Sequence, residues 1–77
     1  MSALMEPALA TTTVAKVIEI TAESPVSFED AIQKGIVKAG ETVHGIRGAW
    51  VDGQQVKVED GKVVGYRVDL KLTFVLD

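Results

Sequence analysis

A chain of 77 residues with 47% apolar residues and no cysteine has room for one domain, with no disulfide or cysteine-based zinc site to staple it. Its net charge of −3 argues against a sequence-blind grip on nucleic acid, which needs basic surface against phosphates. No apolar run approaches the length of a membrane span, so neither nucleic acid nor membrane is an expected partner, and oligomerisation is the expected source of extra stability.

Residues 1–12, MSALMEPALATT, carry Glu6 and Pro7 and lack a basic start. They make a poor signal peptide, which fits a cytoplasmic protein, and are expected to form a flexible extension ahead of one domain over 13–77. Val14 to Thr21 is rich in β-branched residues and predicts the first strand. Ile18 and Ile20 fall on one face, Ala15 and Val17 on the other. Pro25 breaks the run and holds Ser24 extended.

Ser27 then stands where a helix N-cap belongs, with Asp30 three residues on approximating a capping box. Phe28, Ala31, Ile32, Ile36, Ala39 and Val43 recur at helical spacing, predicting a helix over about 28–42. Gly35 and Gly40 each cost such a helix roughly 1 kcal/mol against alanine. Gly35 lies on the apolar side, where close approach to a strand explains it. Gly45 is expected to end the connection.

The clearest signal is at the C-terminus. Val64, Tyr66, Val68, Leu70, Leu72, Phe74 and Leu76 occupy every even position, the period of a strand with one buried face. Asp60-Gly61 just before them is the dipeptide that a type I′ hairpin turn prefers. The strand from Ile46 to Glu59 is then the other arm. Pairing Glu59 with Lys62 sets Trp50 beside Lys71, Gln54 beside Arg67, Val56 beside Gly65 and Val58 beside Val63, all on the face away from the helix. Asp52-Gly53 in mid-strand invites a bulge, and a slip of one residue there exchanges the faces upstream.

The predicted class is therefore α+β, in the order β-α-β-β, with a three-stranded antiparallel sheet around one helix. One helix covers one face of such a sheet. The other face is expected to carry Ile46, Trp50, Val56, Val58, Val63 and Val75, more apolar surface than a lone monomer exposes. A protein contact, a ligand or both are implied.

Chemistry is sparse. His44 is the only histidine and has no partner at metal-ligand spacing; a surface role near the helix end suits it. Asp52 and Asp69 fall nearly opposite each other, a pair that holds a hard cation unless a bulge separates them or a neighbouring Lys or Arg neutralises them. No nucleophile, base and orienting group can be assembled, so no enzyme is expected and no metal site is assigned. Trp50 is left as the residue of interest. Its indole either fills a subunit interface or stacks on a planar ligand whose edge Gln54 or Arg67 would hydrogen-bond.

The strand ending in Thr21-Ala22-Glu23-Ser24-Pro25, the helix start Ser27-Phe28-Glu29-Asp30-Ala31-Ile32, the outward Trp and Tyr66-Arg67-Val68 leading to Phe74-Val75-Leu76 together resemble the dodecins. The resemblance runs from about Val14 to Asp77. It implies a homododecamer, a hollow shell of cubic 23 symmetry, that binds flavin (FMN, riboflavin or FAD) between tryptophans and stores it without turnover. Two positions depart from the pattern. The stacking tryptophan of the family falls on Gly48, whereas Trp50 lies two residues along, about 7 Å away on the same face. The flavin-edge glutamine falls on Arg67, which has donors only. A dodecin-fold shell that has lost flavin and takes another small ligand or a cation is the alternative within the fold, and a small protein-interaction module the alternative outside it.

Overall fold

The computed structural model describes residues 13–76; the extension expected over 1–12 lies outside them. The described elements are β1 (Ala15–Ser24), α1 (Phe28–Gly40), β2 (Ile46–Glu59) and β3 (Lys62–Val75). β3 is central in an antiparallel sheet of order β1-β3-β2. The expected β-α-β-β class is the observed one.

The hairpin turn forms as its residues require. Asp60 and Gly61 have φ of 52° and 75°, the two left-handed residues of a type I′ turn. β1 runs three residues beyond the expected Thr21, because Ala22, Glu23 and Ser24 continue to pair with Val68, Arg67 and Tyr66. Pro25 ends the strand only after its own predecessor, which it keeps extended.

α1 opens on Ser27, whose side chain accepts a hydrogen bond from Asp30 N at 3.0 Å. Only this half of the capping box forms. The Asp30 carboxylate instead accepts the Ser24 hydroxyl and lies 3.5 Å from Lys34 Nζ. Ser24 Oγ also accepts from Val26 N at 2.9 Å, so a buried hydroxyl ties the end of β1 to the start of α1. The Ser24 bond, with Lys34 assisting against partial desolvation, holds the Asp30 carboxyl below its ordinary 3.8. The helix ends at Gly40 rather than residue 42, its last turn tightened by bonds from Glu41 N to Lys38 O and from Thr42 N to Ala39 O.

Ala31, Val68, Leu70 and Leu72 form the sealed core, with Ile18, Ile20, Ala22, Phe28, Ile32, Ile36, Ala39 and Ile46 packed around it. Gly35 is where helix and strand touch most closely: a Cβ there meets Ala22 Cβ at 3.0 Å. Phe28 closes one end edge-on against Tyr66, ring centroids 5.1 Å apart.

The hairpin register departs from the simple pairing at three places. Val64 is an extra residue in β3, and Asp52 and Arg47 are extra residues in β2. Between the first two, the pairing is offset by one, so Gln54 faces Val68, Gln55 faces Arg67 and Val56 faces Tyr66. Four residues of β2 expected to face outward, Ile46, Gln54, Val56 and Val58, therefore turn to the helix side. Val56 and Val58 alternate onto it, and Ile46, shifted at Arg47, packs against the core. The physical cause is the extra residue of a bulge, which reverses the alternation on one strand only.

A helix of 13 residues spans about 20 Å, whereas strands of 14 span about 46 Å. The turn end of the hairpin thus overhangs α1. Val56, Val58, Val63 and Val64 stay between 42% and 55% exposed there, an apolar strip left open among the described residues.

Candidate functional site

The face of the sheet away from α1 is a ladder of rows set by the register. Thr73 of β3 lies between Val17 and Gly48, Lys71 between Glu19 and Trp50, Asp69 between Thr21 and Gly53, and Arg67 between Glu23 and Gln55. With Ile46, Val56 and Val58 turned away, this face is mostly polar. Trp50 stands on it 70% exposed, beside Lys71 as the sequence predicts.

Around the indole, Val17, Gly48, Ala49, Lys71 and Thr73 line an open trough of about 510 Å³. Its floor is low because of Gly48. A Cβ at that position comes within 3.1 Å of Thr73 Oγ1, and the Thr73 hydroxyl donates to Gly48 O at 3.3 Å. An apolar wall, a flat exposed indole and a cation at the rim suit a planar ligand with polar edges.

The next row is ionic. Thr21 Oγ1 donates to Asp69 Oδ1 at 3.1 Å, and Arg67 Nε lies 3.9 Å from the same oxygen. Lys71 Nζ is 4.0 Å from Asp52 Oδ1. Gly53 makes room for the Asp69 carboxylate, since a Cβ there is 3.2 Å from Asp69 Oδ2. Glu19, Asp52 and Asp69 border one shallow hollow with Lys71. Both features weighed against a cation pair are present: Asp52 is the bulged residue, and each aspartate has a basic neighbour. Among the described residues, no group of three or more His, Cys, Asp or Glu is placed to hold a metal ion. His44 is exposed beyond the end of α1.

Of the residues singled out from sequence, Trp50 and Gly48 share the trough, and Arg67 lies further along the same face. Gln54 does not join them. It is paired with Val68 on the helix side, and Gln55 takes the place beside Arg67, where both border a small cleft with Glu23 and Lys57. Asp52-Gly53 signals the bulge responsible in part; the extra Val64 that completes the shift carries no comparable local signal.

The described residues define a small protein of one helix on one face of a three-stranded antiparallel sheet. The Dodecin family model matches residues 14–77, and the chain belongs to that family. It is 36% identical over 59 residues to the calcium dodecin of Mycobacterium tuberculosis, a match covering 77% of this chain and 83% of that protein. The dodecin of Streptomyces davaonensis superposes with a TM-score of 0.82 at 28% identity, covering 87% of this chain and 98% of the other. The crystal structure of calcium dodecin from M. tuberculosis, described as having a novel calcium-binding site, matches with a TM-score of 0.72 and 37% identity, over 83% of this chain and 91% of that one. No helix among the described residues is long and apolar enough to cross a membrane.

Proposed function

We propose that this dodecin-family chain assembles as a homododecamer and holds a flavin (FMN, riboflavin or FAD) against Trp50, storing it without chemical turnover. The observation that carries the reading is the indole itself, 70% exposed on a charged sheet face above a trough whose floor is Gly48. A ring that stacks there recovers burial for the indole. Gly48 leaves Trp50 as the aromatic surface of the trough, and Arg67 offers donors to ring carbonyls. Assembly is supported separately. Four fully buried hydrophobics among the described residues are a small core for a free-standing domain, and the valine strip on the overhanging hairpin requires cover.

An absorption spectrum of the purified oligomer, with and without added FMN or riboflavin, tests the flavin reading. Bound flavin gives a shifted visible band and quenched emission. An unperturbed flavin spectrum at saturating protein overturns it.

A cation is the second reading, supported by the relative named calcium dodecin, with Asp52 and Asp69 bordering one hollow. A calcium ion takes six to eight oxygens. Here Lys71 and Arg67 lie against those carboxylates and have to swing away before the oxygens converge. Calcium titration by calorimetry separates the two readings.

A further inference from the structure

We propose that Asp60-Gly61 at the hairpin tip is a modification site, where the backbone rearranges spontaneously to a β-linked isoaspartyl peptide while Asp52-Gly53 is protected. Each pair sets a carboxyl beside the backbone nitrogen of a residue with no side chain to block it. The glycine nitrogen attacks the aspartate Cγ, a C–N bond forms, and the carboxyl hydroxyl leaves with the amide proton as water. The cyclic imide then takes up water. Opening at the Cγ carbonyl restores the original peptide. Opening at the backbone carbonyl leaves the chain running through the side chain, a β-linkage one methylene longer. Water is the only reactant besides the chain itself.

Ring closure needs the backbone around the aspartate to turn freely, so its rate follows local opening. Asp60 and Gly61 are both exposed, and a Cβ built on Gly61 meets nothing within 4 Å. The loop is closed by the pairing of Glu59 with Lys62, which leaves the Gly61 N–H to solvent. Because the tip overhangs α1, its last rows open without disturbing Val68, Leu70 and Leu72. Asp52-Gly53 lies over that core instead. Val51 and Gly53, either side of the bulged Asp52, pair with the buried Leu70 and with Asp69. A Cβ on Gly53 comes within 3.2 Å of Asp69 Oδ2, so the space around this glycine is already taken. Closing the ring there requires β2 to part from β3 beside the core, a costlier opening. At the tip, the added backbone atom lengthens a two-residue loop and loosens the Glu59–Lys62 and Val58–Val63 rows.

The full-length protein is incubated for weeks at neutral pH and digested, and its peptides are sequenced by electron-transfer fragmentation, which distinguishes β- from α-linkage. Native wild type should accumulate at least about tenfold more β-linked product at Asp60 than at Asp52, the ratio that a modest difference in local opening produces. In concentrated urea, where both pairs are open, that preference should vanish. Asp60→Gly, which keeps a residue suited to the left-handed turn, should lose the product at the tip. Equal accumulation at the two pairs in native protein overturns the proposal, as does a native Asp60 that stays α-linked. A preference for Asp60 that persists in urea overturns it too, since the fold would then not be its cause.

Discussion

Along β3, neighbouring residues lead opposite lives. Val68, Leu70 and Leu72 are 0, 1 and 0% exposed, while Arg67, Asp69 and Lys71 between them keep 38–45% of their side-chain surface. One face is closed by α1 and supplies the hydrophobic stabilisation; the other is a shallow charged ladder interrupted by one indole. A single strand alternation thus separates the face that closes the core from the face proposed to bind. Substitutions on the even face should move stability, and those on the odd face should move binding with little change in stability.

The largest effect should come from the even face. Leu70→Ala opens a cavity between α1 and the sheet and should lose about 2–5 kcal/mol in chemical denaturation. A loss below that of a helix cap would contradict the burial described here. Ser27→Ala, at that cap, should lose about 1 kcal/mol with the denaturation slope unchanged.

Asp30 adds a pH dependence to the same side of the molecule. Its carboxyl is held below 3.8, chiefly by the Ser24 hydroxyl. A depressed carboxylate contributes stability that is present above the unfolded-state value and is lost as pH falls through the folded one. The advantage of wild type over Asp30→Asn should be full at neutral pH and shrink on acidification below about 3.8, as thermal melts across that range can show. An advantage that grows on acidification would reverse the sign of the assignment.

The smallest effect should lie on the odd face. Lys71→Met removes a long, solvent-screened contact with Asp52 and should change stability by no more than about 0.5 kcal/mol.

Much of this division is legible in the residues. The even-position apolar run of β3 needs no partner to be recognised as a strand, and Asp60-Gly61 can be read as a turn because its backbone demand is local. Ser27 and the helical spacing that follows work the same way, and Gly35 on the apolar side anticipates the contact with Ala22. The faces of β2 are less legible. Arg47, Asp52 and Val64 are extra residues only relative to the strand across from them, so alternation within β2 alone assigns Ile46, Gln54, Val56 and Val58 to the wrong side. Asp52-Gly53 gives one warning of this, through a glycine that leaves room for Asp69. Trp50 keeps its expected face because the extra residue at Asp52 cancels the one at Val64, restoring the turn's pairing between Asp52 and Arg47. Gln55 had no such protection, and its place beside Arg67 emerges only from the paired strands.

The central claim is that Trp50 binds a ring on an already assembled protein. It is tested most directly by titrating FMN into wild type and Trp50→Ala while light scattering records the mass of each. Both proteins should scatter as about twelve times the 8.2 kDa chain, as a closed symmetric assembly does. The loss of one stacking surface, about 1–3 kcal/mol by analogy with base stacking, should weaken FMN binding in the variant by roughly 5- to 150-fold. A Trp50→Ala protein that falls apart into smaller species, with FMN bound by neither protein, would contradict the account and make the indole an interface residue.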